Sequence, residues 1–420
     1  MLYFCYMSKA NGAIEKKDTY LQHVSLKNYK SIKDVEIDFK PGLNIIIGKN
    51  ASGKTNFVNG LNKVLSYKYN EILSSEFVVK AYFKNRLVTI EKQPNAHISA
   101  DFLKGNHHTL LKKININIEV DGDRIDVDKD KISIYPPIYA LSDRGLYFEK
   151  VFINYGVSYG NATQFVNQPF SFEVFDNGKV SESLLYFVMS DNQTKLINSF
   201  FERLYKFLIE INSNITDLLT SHEELKNKIV SFSKNYFEHI NYSISLHSPI
   251  QSLRLNTDFN IVTEEENVKQ TITNFYLEFL VDQTWLPFSM LSDGTKRLFY
   301  IISEMLATYN SENSLYNDDL NIILLEEPEL GIHPHQLHQL MQFIKEQSRE
   351  KQIIITTHSP QVLDILGPDE LDRIIICHSD PKNGTQLTHL TEKEMNKARK
   401  YMKEEAFLSD YWRFSDLEPA

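Results

Sequence analysis

Four short stretches of the chain carry residue types at spacings that could bind and cleave a nucleoside polyphosphate. Gly48-Lys49-Asn50-Ala51-Ser52-Gly53-Lys54-Thr55 fits G-x-x-x-x-G-K-[ST]. Glycines let such a loop turn its N–H groups inward, and the helix that follows adds positive potential, so the main chain itself holds the phosphates. Lys54 is expected to reach the β- and γ-phosphates and the Thr55 hydroxyl to sit on Mg²⁺. Gly48, Asn50, Ser52, Gly53 and Asn56 complete the expected nucleotide contacts.

Two further stretches end apolar runs. Ile322-Ile323-Leu324-Leu325 leads into Glu326-Glu327-Pro328, and open α/β sheets bind ligands beyond the carboxyl ends of their strands. Glu326 is expected to support the Mg²⁺ shell, through a water, and Glu327 to polarise the attacking water. The plainer reading is a solvated strand end. Ile353-Ile354-Ile355-Thr356 leads into Thr357-His358-Ser359, where His358 could meet the γ-phosphate as donor or relay, or simply be a satisfied surface histidine. The fourth stretch, Leu291-Ser292-Asp293-Gly294-Thr295, precedes an apolar helix (Leu298, Ile301, Ile302, Met305, Leu306). Lys296 and Arg297 in its first turn oppose the helix dipole, which is tolerable where the turn faces an anion. Read alone, Ser292 or Asp293 is an ordinary N-cap.

The elements that must position these residues follow from periodicity. Leu43–Ile47 reads as a buried strand, and Phe57, Val58, Leu61, Val64 and Leu65 recur at helical spacing from Thr55 to about Ser66. Strand, glycine-rich turn and helix is the context the phosphate loop needs. Ile114–Val120 alternates as a half-buried strand. Ser183–His239 carries helical spacing (Leu196, Phe200, Leu204, Phe207, Leu208) with neither proline nor glycine. Ser252–Val262 and Phe275–Leu286 are expected to return to the main sheet. No solenoid-length repeat is present.

Taken together, the four stretches resemble an ATP-binding-cassette (ABC) ATPase of the RecF/SMC-like branch, in which Leu-Ser-x-Gly is the signature that completes a partner's site. Val24–Ile32 is similar to the family's opening strand and turn, with Lys30 near the nucleotide where relatives usually carry Arg. Ala51 follows Asn50 where relatives often read Gly-x-Asn-Gly, and Glu326 stands where many carry Asp. Glu326-Glu327-Pro328-Glu329-Leu330-Gly331-Ile332-His333-Pro334 resembles prokaryotic ATPases related to the overcoming-lysogenization-defect (OLD) family. Ile134–Ala140 resembles the strand before Ser142-Asp143-Arg144-Gly145, which makes Arg144 a candidate structural or interface residue. A glutamine loop is expected as well, and neither Gln164 nor Gln168 is assigned to it.

The resemblance implies an α/β fold: an ABC ATPase head, a P-loop NTPase with a mixed or parallel sheet flanked by helices and an inserted, mainly helical arm or lid. The expected domains are a loose leader at 1–19, a first lobe at 20–155, a mainly helical insertion with return strands at 156–283, and a second lobe at 284–420. ATP and Mg²⁺ are the implied cofactors. Ser292, Asp293 and Gly294 of one copy would close on ATP held by Lys54 of another, giving a homodimer or higher oligomer. OLD enzymes carry a nuclease domain after the head, and 61 residues follow Ser359, too few for that domain. The expected role is therefore the ATPase component of a two-component anti-phage system acting on a separate effector. The alternatives are a RecF-like DNA-repair ATPase and a slow nucleotide-gated scaffold.

Composition narrows the setting. At 42% hydrophobic and 24% charged residues, the chain can bury a core and is not a disordered type. Its two cysteines, Cys5 and Cys377, provide neither a disulfide framework nor a zinc quartet. No apolar run reaches membrane-span length and Leu2–Met7 lacks the form of a signal peptide, so a cytoplasmic location without a membrane partner is expected. A net charge of −10 argues against a DNA-wrapping protein. Local clusters (Lys80 with Lys84 and Arg86; Lys112-Lys113; Lys397, Arg399, Lys400 and Lys403) keep DNA open as a partner. The last cluster reads first as a solvated helix face beside Glu392, Glu394, Glu404 and Glu405.

Overall fold

A computed structural model describes residues 19–83, 86–93, 116–125, 141, 146, 148–153, 170–173, 199–200, 203–208, 210, 222–264, 269–307, 320–404 and 407–414. Several expected features lie outside these residues: the leader through 18, the strand at 134–140, Arg144, Gln164, Gln168, Lys84, Lys112-Lys113, and much of the helical pattern before 222. The chain divides into two compact units. One comprises Met1–Phe152, Ser314–Glu327 and Lys345–Ala420, and the other Ile153–Asn313 and Pro328–Ile344. The lobe expected over 284–420 is thus shared between both units.

The first unit is built on a twelve-stranded sheet. Its strands are β1 (Tyr20–Tyr29), β2 (Ile32–Asp38), β3 (Leu43–Ile47), β4 (Glu76–Phe83), β5 (Arg86–Lys92), β6 (Ile116–Val120), β7 (Asp123–Ile125), β8 (Phe148–Ile153), β15 (Leu320–Glu326), β16 (Gln352–Thr357), β17 (Ile374–Asp380) and β18 (Gly384–His389). They run in the order β7-β6-β5-β4-β1-β2-β18-β17-β3-β16-β15-β8. The centre is parallel: Leu325 lies opposite Ile355, Ile355 opposite Ile45, and Ile375 opposite Ile46. Every residue of β3 and β16 is buried, the signature of strands covered on both faces. From β2 out to β7 the pairing is antiparallel, and β4 alternates buried and half-buried residues as a one-sided strand should.

Helix α1 (Lys54–Leu65) buries Phe57, Val58, Leu61, Val64 and Leu65 in the core that also takes Ile46, Leu324 and Ile354. Gly60 lets it close on β1, since a Cβ there would lie 2.6 Å from Leu26 Cδ2. The main chain of Leu21 is clamped by the Gln352 side-chain amide, at 2.7 Å and 2.9 Å, which fixes β1 against the start of β16. Helix α5 (Glu392–Lys403) starts in a Thr391–Glu394 capping box and buries Met395 and Ala398, leaving Lys397 and Lys400 on a solvated face. Helix α6 (Leu408–Phe414) is pinned where Ser409 N–H and Oγ both donate to Asp364, each at 2.8 Å.

The second unit holds α2 (His222–His247), α3 (Asp293–Ala307) and α4 (Pro334–Gln347, through Ile344 in this unit), with β9 (Phe170–Glu173), β10 (Ser252–Leu255), β11 (Asn260–Glu264), β12 (Lys269–Thr273), β13 (Leu277–Val281) and β14 (Thr284–Pro287). The segments expected to return to the main sheet do not do so. They form two separate three-stranded sheets, β10-β13-β14 and β11-β12-β9. Local turn chemistry accounts for one of these pairings. Val281 pairs with Thr284 across Asp282 and Gln283, both at positive φ, so β13 and β14 close a tight hairpin. Asn241 of α2 then fixes β10, its side chain bonding the Leu253 main chain at 2.6 Å and 2.9 Å. Phe299 of α3 meets Phe279 of β13 edge-on at 4.9 Å. No described helix is long and apolar enough to cross a membrane.

One buried amine braces the turn that carries Lys30. Lys92 is 1% exposed, and its ammonium donates to the carbonyls of Leu73 and Ser75, while Ser75 Oγ donates to Asn28 O at 3.0 Å. Burial lowers the Lys92 pKa from 10.5 to about 8. Between those values the unfolded chain binds the proton that the folded one has released, so the contribution of this group to stability rises with pH. Denaturant unfolding of wild type and Lys92→Met at pH 7.5, 9 and 10 should show the wild type gaining on the variant by on the order of 2 to 3 kcal/mol across that window.

Candidate functional site

The first unit gathers most of the predicted site residues at the carboxyl end of its parallel strands. Gly48 N–H donates to Thr357 O at 3.3 Å, tying the loop's base to the end of β16. Position 48 admits only glycine, because a Cβ would collide with the Cys377 carbonyl of β17. Position 53 is equally confined: Gly53 has φ +104, and a Cβ would strike the Thr385 side chain. The loop then enters α1, whose N-terminus has no side-chain cap. Ala51 has φ 64, the left-handed conformation in which relatives' glycine would be unstrained.

Lys54 is 4% exposed and folds back over the loop, donating to Gly48 O at 2.7 Å and Lys49 O at 2.9 Å. Ser52 Oγ is buried and finds no hydrogen-bond partner among the described residues. Thr55 and Asn50 are exposed. An uncapped helix N-terminus, a lysine held on loop carbonyls and an unsatisfied hydroxyl are the donors a polyphosphate would take up, and the exposed Thr55 leaves room for Mg²⁺ beside it. Asn56 is differently engaged. Its amide donates to Ser31 Oγ at 2.7 Å, and Ser31 Oγ in turn bonds Thr385 Oγ1 at 2.8 Å. Lys30, next to Ser31, has φ 50 and sets its ammonium 5.6 Å from the Tyr29 ring centroid.

The acidic residues sit where β15 ends. Glu326 is 7% exposed and lies opposite Thr356 in the parallel register. Glu327 has turned into the left-handed region at φ 45, its N–H donating to Thr356 O at 2.8 Å. From there its Oε1 lies 3.6 Å from His358 Nδ1. The two predicted catalytic side chains are therefore neighbours, both partly exposed, at the ends of adjacent strands. Cys377 lies under the loop with Sγ 3.5 Å from Ser52 O. Burial pushes its thiol up, opposed by Ser52 and by the Lys54 charge, so it packs as a neutral thiol.

The Leu291–Gly294 stretch belongs to the second unit. Ser292 Oγ accepts from Thr295 N–H at 3.2 Å and bonds Thr295 Oγ1 at 2.8 Å, making it the N-cap of α3. Asp293 is exposed and pairs with Lys296 at 3.4 Å. A Cβ on Gly294 would lie 2.5 Å from Gly331 O, so the glycine is required by the close approach of that turn. Sequence reasoning did not select Ser31, Thr356 or Thr385. Thr356 was reachable, because it precedes Thr357-His358. Thr385 had no local signal, since its contact with Ser31 spans 354 residues.

A family model described as an AAA ATPase domain matches residues 20–363. The curated protein endonuclease GajA of Bacillus cereus (strain VD045) is 22% identical over 395 residues, covering 90% of this chain and 62% of that protein. Endonuclease GajA of strain HuB5-5 is 20% identical, covering 95% and 66%. The chain thus spans less than two thirds of the endonucleases' length. The DNA replication and repair protein RecF of Streptococcus agalactiae serotype Ia is 33% identical over 85 residues, 20% of this chain and 22% of that protein. Among solved structures, the Smc head domain with an extended coiled coil bound to the C-terminal domain of ScpA, derived from Pyrococcus furiosus, has a TM-score of 0.48 at 15% identity, covering 92% of this chain and 99% of that one.

Crowded position 48 and left-handed position 51 respond oppositely to substitution. Gly48→Ala should destabilise the fold by roughly 3 kcal/mol or more, because backbone must yield. Ala51→Gly should stabilise it by about 0.5 kcal/mol, the relief of left-handed strain outweighing the added chain entropy. Thermal unfolding of both variants beside wild type reads the two signs.

Proposed function

This chain belongs to the AAA ATPase domain family as an ABC-type ATPase of the RecF/SMC/OLD-like branch, and from that premise we propose that it is a nucleotide-driven dimerisation switch. The observation that carries the reading is the level end of parallel strands β3, β15 and β16, which bears the Lys54 loop, Glu326, Glu327 and His358. The loop N–H groups and Lys54 bind the phosphates of ATP. Thr55 and Glu326 hold Mg²⁺, which when bound neutralises phosphate charge. Glu327 orients and deprotonates the attacking water, and His358, beside it, stabilises the water or the γ-phosphate.

Ser292, Asp293 and Gly294 of a second copy complete the donors around the γ-phosphate. That role is compatible with the observed N-cap, because a helix N-terminus leaves main-chain N–H groups for an anion. A nucleotide that binds only the closed pair stabilises it by RT ln(1 + [L]/Kd), about 2.7 kcal/mol at a hundredfold excess over Kd. Hydrolysis then releases the pair, and the cycle is read by a separate effector in an anti-phage setting. The near full-length match of this chain to part of the GajA endonucleases supports that context. The local likeness to RecF supports a second reading, a DNA-stimulated repair ATPase.

Light scattering and steady-state ATPase assays on the purified chain test the switch. Glu327→Gln should lose ATPase activity by about 10²- to 10⁴-fold yet accumulate as a dimer in ATP. A variant that stays monomeric in saturating ATP would sink the proposal, and stimulation of wild type several-fold by double-stranded DNA would favour the repair reading.

A further inference from the structure

Thr356 relates to both acids at once. It is fully buried, and its hydroxyl finds no hydrogen-bond partner among the described residues. Folded proteins seldom leave such a group unmatched, so it calls for a reason. Register supplies one. Thr356 lies opposite Glu326 on one side and Ile46 on the other, and facing residues of paired strands share one side of the sheet. That side is the α1 side, where Ile46, Leu324 and Ile354 join Phe57 and Leu61 in the core. The Thr356 hydroxyl therefore ends the apolar column at the level of the Glu326 carboxylate, towards the phosphate loop. Its carbonyl meanwhile accepts the Glu327 N–H at 2.8 Å, the bond that accompanies the left-handed turn of that residue.

We propose that Thr356 is a positioning residue for the acidic strand end: its hydroxyl donates to a water held jointly with Glu326, while its carbonyl fixes Glu327 towards His358. The inference rests on the ATP and Mg²⁺ reading of this site. Glu326 carries one methylene more than the aspartate common at its position, and in the present proposal it reaches the metal shell through that water. A buried water needs two to four polar partners, and Thr356 Oγ1 is an unspent one on the correct face. The bland account, a β-branched residue filling a buried strand, makes valine its equal.

The full-length chain is titrated with Mg²⁺ while its binding of a non-hydrolysable ATP analogue is followed by fluorescence. Thr356→Val should raise the Mg²⁺ concentration at half-effect by about 10- to 100-fold, the usual loss when a group supporting a metal ligand is removed. It should leave analogue binding in EDTA, and the unfolding midpoint without nucleotide, at or above wild type. Thr356→Ser should restore the wild-type Mg²⁺ response. A valine variant with an unchanged Mg²⁺ midpoint would overturn the proposal. So would a serine variant as impaired as valine with both unfolding at lower temperature, which is the mark of packing alone. Failure of the underlying ATP reading shows separately, as wild-type chain that binds no analogue at any Mg²⁺ concentration.

Discussion

Strands β15, β16, β3 and β17 run parallel and are packed on both sides, so their registers are not free to slip. A shift of one residue in β15 would carry Glu326 to the opposite face and leave Leu325 in its place. The same shift in β16 would move the carbonyl that receives Glu327 N–H and the one that receives Gly48 N–H, because these belong to the adjacent residues Thr356 and Thr357. The whole site is thus a readout of level strand ends. Isoleucines and leucines far from the loop hold it in place, through Ile353–Ile355 and Ile322–Leu325, by making any other register bury the wrong faces.

Local conformational rules are broken in the turns around the site. Lys30, Ala51 and Glu327 all take positive φ without being glycine. Side chains in that region cost on the order of 1 kcal/mol or more each, and such outliers gather at functional sites. For Glu327 the strain is matched by a good main-chain bond and brings the carboxylate to His358. For Lys30 the turn is braced from behind by Ser75 and Lys92. The loop itself is squeezed between Cys377 and Thr385, so its shape is imposed by β17 and β18 as much as by its own glycines.

How much of this was legible in the sequence depended on range. Leu43–Ile47, α1, β15 and β16 could be read directly, because unbroken apolar runs and 3.6-residue spacing are local signals and the motif at each end supplied punctuation. The capping residue of α3 and the solvated face of α5 were readable for the same reason. Beyond that range the reading failed. Nothing near 385 announces that Thr385 will bond Ser31, and an alternating stretch such as Ser252–Val262 does not say which strands it will join. The Asp282-Gln283 turn closes the β13–β14 pair and Asn241 ties β10 to α2, two polar features that periodicity ignores. The acids themselves were identified by type, but their geometry required the left-handed turn at Glu327, which no propensity would assign to glutamate.

The position of β3 also bears on how the protein is made. Its two neighbours, β16 and β17, begin at residues 352 and 374, whereas β3 itself ends at Ile47. At roughly 5 to 20 residues per second, a ribosome needs on the order of 15 to 60 seconds to add the intervening 300 or so residues. Throughout that interval Leu43–Ile47, apolar but for Asn44, lacks its strand partners on the nascent chain, the kind of edge that recruits other chains. Biosynthesis of this chain therefore has a long vulnerable period built into its connectivity, because the strand beneath the phosphate loop is made long before the two strands that flank it.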